Sequence, residues 1–555
     1  MAVATQKSAS SLMQKTMQRQ QTVTRVKYKL NEKQVEKILL CYIKDGNTEP
    51  YKELLKVLQN CQLNDDNYRI VMEDSLSCVV LLGVEMNQYI DIICNINWAN
   101  RNSEFVMLFS NFVINLVTAH TYHCPKVMTS LIKLFKDEPE SWDDSPQEIT
   151  LFKWSNIHKI IAQIIAMMPM CSDILMQTII EHFPYYKTSA VITRAYIHNL
   201  IWMTKYIPLL QEQIITMIIS RMVIMDVNIV DQTKKQKQID ISDGNIKEQD
   251  TVMESLDCCM LEILKWLEEE REPALNIMCN VFERVVLPTR AIRHVQFLLL
   301  YTISISQQCM DRILNNLWVV ASGGHTLGPA ALATRRTACS HLAGLLARCV
   351  RMPNSRLILY LKLMADWVHS YITATQEATT SLDNAKSHGS FHAICHAIFY
   401  LVAFKNHHLF MNKENLHFVE SLNLRRLVNC ALNPLRTCPP QVTHAFSSVT
   451  RSHQVVYCQA VIEKNNRHIL QSSIAEQFDD WFPYDPYDLP RSGKVIWPLC
   501  IEYKDFLKES DSESQYTTMK RKLDDDDYLM LASPKKLRNT NDISPGFRTS
   551  ETIIM

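Results

Sequence analysis

Apolar residues recur along this chain at three- and four-residue intervals. Trp154, Ile157, Ile160, Ile161, Ile164, Ile165 and Met168 step around one face of a helix that Pro169 ends. Leu256, Cys259, Met260, Ile263, Leu264 and Leu267 repeat the pattern ahead of Pro273. Phe391, Ile394, Ile398, Leu401 and Val402 define another helix with one buried face. Asn433-Pro434 reads as the stop of a further helix. Val455, Val456, Cys458, Ala460 and Val461 read as one more, its first straight run ending at Asn465-Asn466. Pro184, Pro208, Pro288 and Pro353 fall between such patterns as breakers. The periodicity predicts an all-α chain whose helices form consecutive antiparallel pairs of roughly 40 to 47 residues, the HEAT or armadillo period. Helix pairing alone also fits an irregular helical bundle.

Polar stretches without a period mark the connections and the ends. DEPESWDDSP (137–146) and DQTKKQKQIDISDGNIKEQD (231–250) predict exposed loops, drawn at 137–150 and 231–250 within a solenoid over 25–470. Residues 1–24 are rich in Ser, Thr and Gln, carry Lys7, Lys15 and Arg19, and contain no acid; they read as a disordered leader, with a mitochondrial presequence as the competing reading. Aromatics and prolines mix in FDDWFPYDPYDLPRSGKVIWPL, so residues 471–505 are expected as an extended segment, not a helix, packed on the last repeats. A disordered charged tail follows over 506–555.

Composition narrows the class. At 555 residues, a length prior alone suggests roughly three or four domains, yet only ten glycines are present, too few for an architecture of hairpin turns or phosphate-cradling loops. The net charge is zero, so any attraction to nucleic acid must be local. Seventeen cysteines, many scattered singly as Cys41, Cys61, Cys78 and Cys94, read as a reduced intracellular chain. Apolar runs are interrupted by Arg221 and Asp226, or by Glu181 and His182, before reaching membrane length.

Enzymatic signatures are missing from the sequence. Gly323, Gly324 and Gly328 lack the Lys-Ser/Thr of a P-loop, and there is no HExxH, GxSxG or CxxC. His388, His392 and His396 lie four apart, with Cys395 and the His407-His408 pair nearby; they read as the polar face opposite the Phe391 stripe, since nothing supplies a fourth metal ligand. No acid occurs from Arg312 to Lys362, while Arg335, Arg336, Arg348, Arg351 and Arg356 punctuate two helices. This predicts a basic surface for an acidic protein or a phosphate backbone, with a solvated repeat face as the plain alternative. In the tail, Lys520, Arg521 and Lys522, then Lys535, Lys536 and Arg538, read as a bipartite nuclear localisation signal. Ser141, Ser145, Ser533 and Ser544 lie in the predicted loop and tail as candidate phosphorylation sites.

Several segments carry a resemblance. SHGSFHAICHAIFYLVAF (387–404), SLNLRRLVNCALNPL (421–435), VYCQAVIEKNN (456–466) and WFPYDPYDL (481–489) are preceded by EHFPYYKTS (181–189), YIHNL (196–200), MDVNI (225–229) and LPTRAIRHVQF (287–297). Together, over roughly residues 25–505, they resemble the RNA polymerase I-specific transcription initiation factor family, whose animal members are called transcription initiation factor IA. The resemblance implies a HEAT-repeat superhelix that needs no cofactor. It would bind RNA polymerase I, bridge it to a promoter-bound core or selectivity factor, act in the nucleus and nucleolus, and be regulated by phosphorylation. Contact with the DNA backbone and a homodimer of the free protein stay open. An importin-like helical-repeat transport adaptor is the alternative, and a hydrolase using Cys395 or Cys438 with a nearby histidine ranks behind it.

Overall fold

The computed structural model describes residues 31, 33–60, 63–136, 142, 145–236, 244–290, 292–323, 330–377, 388–467, 483–484 and 487–503. Among them there is no strand, only an isolated antiparallel bridge between Cys349 and Cys500. The chain divides into two units, residues 1–185 with 191–214, and residues 186–190 with 215–555.

The first unit contains α1 (Gln34–Asp45), α2 (Thr48–Asn60), α3 (Asp65–Ser77), α4 (Asn87–Cys94), α5 (Ser103–Ala119), α6 (Cys124–Lys133), α7 (Glu148–Met167), α8 (Cys171–Glu181) and α9 (Ala190–Thr204). Their starts follow from local chemistry. Asn64 accepts the N–H of Asn67 at 3.1 Å and Asn102 that of Phe105 at 3.0 Å, each satisfying an orphan donor in a first turn. The packing alternates: α1 meets α3, α3 meets α5 and α5 meets α7, while α2 meets α4, α4 meets α6 and α6 meets α8. Odd and even helices therefore form two layers, as stacked helix pairs do. The apolar stripes meet between the layers, where Trp98 stacks on Phe109 at 4.5 Å and Val113 and Leu116 are fully buried. His158 of α7 lies in this core, held by Tyr206 Oη at 2.8 Å and Asn199 Oδ1 at 3.0 Å, and burial pulls its pKa down to about 3.

The second unit holds most of α10 (Gln211–Gln236), then α11 (Gly244–Glu270), α12 (Glu272–Val281), a π-helical turn (Phe282–Val286), α13 (Phe297–Ile305), α14 (Gln307–Ser322), α15 (Ala330–Arg348), α16 (Asn354–Glu377) and α17 (Gly389–Phe404). Shorter pieces follow: α18 (Asn406–Phe410), α19 (Lys413–Ser421), α20 (Leu424–Val428), α21 (Pro434–Thr437), α22 (Pro440–Ser452), α23 (Gln459–Arg467) and α24 (Pro490–Ile496). Within this unit, α15 packs on α17 and α17 on α22. The stretch Pro208–Ile229 is long and apolar enough to cross a membrane, yet Ile218, Ile219 and Met222 are buried in the protein and Asp226 is fully inside, as suits a core helix.

The structure revises several sequence expectations. Polar residues 231–236 and 244–250 are helical backbone at the ends of α10 and α11, because Lys, Gln and Glu form helices well without an apolar period; residues 237–243 fall outside the described set. Within the acidic stretch after α6, Trp142 is 8% exposed under the Arg194 guanidinium, 4.6 Å from its ring, and Pro146 is buried, so these two residues are held against the protein and not exposed. Helix α17 is buried all round, with α15, α16, α21 and α22 against it. Asn433, with φ of 44°, ends no helix; Pro434 instead opens α21, where its missing N–H is harmless. Val455 and Val456 precede α23, which runs through Asn465-Asn466 to Arg467.

Candidate interaction surface and its buried junction

The largest departure from the sequence reading lies in the segment 483–503, where Pro490 starts the short helix α24 and the chain crosses the middle of the second unit, on α11, α13 and α15. Three of the segments that carry the family resemblance meet there. Asp226, from MDVNI on α10, is fully buried and its Oδ2 accepts the N–H groups of Arg293 at 3.1 Å, His294 at 2.7 Å and Val295 at 2.9 Å. Its Oδ1 lies 2.9 Å from Nδ1 of His294, also fully buried. The carboxylate thus ties LPTRAIRHVQF to α10 and satisfies donors that have no water to turn to.

The third segment lies over this tie. The Tyr487 ring packs 5.7 Å from His294 and 4.6 Å from Phe297, Asp488 pairs with Arg293 at 2.8 Å, and the Tyr487 hydroxyl meets Ser492 Oγ at 2.7 Å. Asp257 of α11 does for α24 what Asp226 does for the preceding turn. It accepts the N–H groups of Arg491 and Ser492, both at 2.8 Å, and also the Ser492 hydroxyl. Tyr484 fills the space between Phe297 and His341, with its hydroxyl 3.3 Å from His341 Nδ1. Burial pulls the His341 pKa down to about 3, so this ring is neutral. Gly344 makes the crossing possible, since a Cβ there would lie 2.7 Å from Tyr484 and 2.9 Å from the Pro483 carbonyl. Beyond α24, Val350 N–H donates to Leu499 at 3.0 Å and Ile501 N–H to Arg348 at 2.7 Å. Chemically this is a fastener: its two buried carboxylates accept backbone N–H groups together with the His294 ring and the Ser492 hydroxyl, and His294 packs against the Tyr487 ring.

The arginines of the acid-free stretch do not form one solvent face. Arg348 is 3% exposed; its Nη1 donates to Ile501 O at 3.2 Å and its guanidinium lies 4.8 Å from the Phe404 ring centre, so it belongs to the interior and leaves the surface set. Arg356 pairs with Asp311 at 2.7 Å. That acid stands one residue before the acid-free window, and a linear count cannot see a partner 45 residues away across helices. Arg351 is exposed and donates to Ser304 O at 3.0 Å. Arg335 and Arg336 are half-buried on α15, Arg335 folded over Gly323 and Arg336 beside Gly389.

The histidines are not a polar face. His392 Nδ1 and His396 Nε2 both reach the Thr437 hydroxyl, at 3.0 and 3.1 Å, inside the protein, while His388 Nδ1 meets the Tyr371 hydroxyl at 2.9 Å. Their hydrogen bonds fasten α17 to the NPL segment and to α16, and the described residues contain no His, Cys, Asp and Glu group arranged for a metal. Ser145 is exposed. Ser141, Ser533, Ser544 and the six basic residues Lys520, Arg521, Lys522, Lys535, Lys536 and Arg538 lie outside the described residues.

Sequence reasoning missed one surface. Val80 is 73% exposed, and Val84 and Tyr122 are each 58% exposed, on turns tied together by His120 Nε2, 3.0 Å from Val80 O, and His123 Nε2, 3.2 Å from Gly83 O. A held, apolar, solvent-facing cluster suits protein contact. The VVLLGV run is its only signal in the sequence, and such a run looks like core.

The family of RNA polymerase I specific transcription initiation factor RRN3 matches residues 24–243 and 229–507 of this chain. A mouse RNA polymerase I-specific transcription initiation factor RRN3 is 26% identical over 558 residues, covering 89% of this chain and 84% of its own. A fission yeast (Schizosaccharomyces pombe) RNA polymerase I-specific transcription initiation factor rrn3 is 23% identical, covering 76% and 77% respectively. The crystal structure of RNA Polymerase I Transcription Initiation Factor Rrn3 superposes with a TM-score of 0.70 at 18% identity, over 85% of this chain and 99% of that one, and shows the fold to be shared. With nearly the whole span from residue 24 to residue 507 matched, this chain belongs to the RNA polymerase I specific transcription initiation factor RRN3 family.

Proposed function

We propose that this chain is an RNA polymerase I-specific transcription initiation factor that binds the polymerase and bridges it to a promoter-bound core or selectivity factor, making ribosomal RNA genes competent for initiation. The family match along both units carries this reading. Its physical support is the stacking of helices within each unit, which offers many weak contacts, together with the apolar turns at Val80, Val84 and Tyr122. Arg335, Arg336 and Arg351 supply cations for an acidic protein surface or for the DNA backbone. The chain works in the nucleus and nucleolus, carried in by the basic clusters at 520–522 and 535–538. The free protein has the option of a homodimer, and no cofactor takes part.

Phosphate added at Ser141 or Ser145 would repel an acidic partner, and at Ser533 or Ser544 would offset the cations of the import signal, since each phosphate brings about −1.5 to −2 charges. The test is a pull-down from nuclear extract with the full chain, joined to an initiation assay on a ribosomal RNA promoter depleted of the endogenous factor. Polymerase I subunits should copurify without those of polymerases II or III, and initiation should return only when the chain is added. Recovery of a small GTPase and pore proteins instead would replace this reading with a transport adaptor. Ser→Glu variants at the four positions should lower polymerase binding for the loop pair and nuclear accumulation for the tail pair; wild-type behaviour of all four would place regulation elsewhere.

A further inference from the structure

We propose that the exposed face of α2, α4 and α6 is a docking groove for an extended acidic peptide segment of a partner protein. Two recesses lie side by side on this face and meet at Asp91, one of about 250 Å³ between α4 and α6 and one of about 380 Å³ between α2 and α4. The three helices pack in succession within one layer of the first unit. Their lining follows from helical spacing. Lys52, Leu55, Lys56 and Gln59 recur at three- and four-residue intervals on α2, and Gln88, Asp91, Ile92 and Asn95 repeat that spacing along α4 and just past its end, so each helix turns one stripe into the groove. From α6 come Lys126, Thr129 and Lys133.

Four lysines therefore stand in the groove against one acid, and that acid is already answered. Asp91 lies 3.6 Å from Lys126 Nζ, which also donates to Asn87 O at 2.9 Å. Lys52 has a loose partner in Glu49 at 3.6 Å, and both side chains are mostly in solvent. Lys56 and Lys133 are exposed and pair with no carboxylate among the described residues. Burial and then Lys133 lower the pKa of Lys136, and burial, Lys136 and Lys133 lower that of His182, so the Lys133 charge bears on other cations. An acidic ligand would supply the counter-charge that this face lacks.

Shape and side-chain amides select a peptide. Neighbouring helices lie about 8–10 Å apart, so three of them span about 20 Å, which an extended chain at about 3.3 Å per residue crosses in about six or seven residues. Its side chains alternate, so acids at every second position fall on the side of the lysines. Gln59 and Gln88 are exposed in the groove and carry amides that both donate to and accept from a peptide backbone. A nucleic acid fits less well: its phosphates only accept, and their even spacing of charge cannot avoid the exposed Asp91 carboxylate at the meeting point of the two recesses.

The groove is defined without reference to a polymerase, and its test needs none. Fluorescence anisotropy of the full chain is measured at about 0.15 M salt with a labelled peptide that alternates Glu and Ser over about ten residues, with its Gln counterpart, and with a single-stranded oligonucleotide of equal charge. The acidic peptide should bind at least about tenfold more tightly than either of the others. Lys52→Gln, Lys56→Gln and Lys133→Gln together should weaken it about tenfold, whereas Lys37→Gln, Lys44→Gln and Lys159→Gln, exposed on α1 and α7 of the other layer, should change it less than about twofold. Asp91→Asn removes the acid of the groove and should tighten binding about two- to fivefold, a gain that a misfolded variant cannot produce. Absence of peptide binding, equal binding of the three probes, equal loss in the two lysine sets, or tighter binding of the oligonucleotide overturns the proposal.

Discussion

Gly344→Ala sets two effects of opposite sign against each other. Alanine within a helix is favoured over glycine by roughly 0.5–1 kcal/mol, so α15 taken alone should gain. The added Cβ, however, would sit 2.7 Å from a Tyr484 ring carbon, 2.9 Å from the Pro483 carbonyl oxygen and 3.3 Å from the Pro483 ring. Tyr484 is 1% exposed between Phe297 and His341, and a backbone carbonyl cannot rotate away, so the strain falls on the docking of residues 483–503. Overpacking of this kind costs about 1–3 kcal/mol, which outweighs the helix gain and leaves a net loss of about 1–2 kcal/mol. If that loss appears as local undocking, trypsin should cut at Arg491 and Lys494 about 5 to 30 times faster than in wild type. Limited proteolysis followed by mass spectrometry reads this directly. In a Tyr484→Ala background the cost of Gly344→Ala should shrink to the part owed to the Pro483 carbonyl. Unchanged cleavage with a raised melting temperature would show that the crossing at Gly344 is not tight and that helix propensity dominates.

Asp226→Ala removes the acceptor of three backbone N–H groups and of His294, and should cost about 3–5 kcal/mol in denaturant unfolding of the second unit, with Asp226→Asn costing less; a loss below 1 kcal/mol would mean that these donors find other partners. Arg348→Ala should destabilise by about 1–3 kcal/mol through its lost carbonyl and ring contacts, whereas Arg351→Ala should stay within about 0.5 kcal/mol and, combined with Arg335→Ala and Arg336→Ala, should weaken polymerase or DNA binding and flatten its salt dependence. Equal stability of the Arg348 and Arg351 variants would contradict their different burial. Acid should destabilise the fold in a defined window. His158 and His341 are buried with pKa values near 3, below the ordinary 6.5, so the unfolded chain binds their protons first. The stability they preserve is complete above pH 6.5 and is lost as pH falls towards 3, at about 1.4 kcal/mol per pH unit for each ring. Thermal melts across pH 7 to 4 should show this slope, and His341→Gln should reduce it by one ring's share.

Much of the fold was legible because each helix leaves a local record. The Trp154 to Met168 stripe and the Leu256 to Leu267 stripe both became helices, with Pro169 and Pro273 just beyond their last turns. What local pattern could not carry was contact between distant segments. Arg356 looked unopposed because Asp311 lies outside its window, Arg348 looked exposed because its cover, Phe404 and Ile501, comes from two other parts of the chain, and α17 looked one-sided because its second covering layer arrives with α21 and α22. Prolines and aromatics in residues 483–503 suggested an extended run. Their helix instead starts at Pro490, and its first N–H groups are accepted by Asp257 more than 200 residues earlier.

The recognisable segments identify a lineage but no chemistry, because their polar residues serve contacts between distant parts of the chain. MDVNI contributes an acid in the middle of an apolar helix, which in isolation reads as an interruption. In the folded chain that acid is the acceptor for the N–H groups of Arg293, His294 and Val295, and Tyr487 and Asp488 lie over the pair. HGSFHAICHAIFY and NPL meet in the same way, through His392, His396 and the Thr437 hydroxyl. A buried carboxylate or imidazole is tolerated only where specific donors and acceptors are brought to it, so its position, its partners and the chain path between them are fixed together. Such residues fix the path of the chain without any reacting group. On the proposed function, the surfaces offered to a polymerase are those that these fasteners hold in place, the half-buried arginines of α15 and the apolar turns at Val80, Val84 and Tyr122.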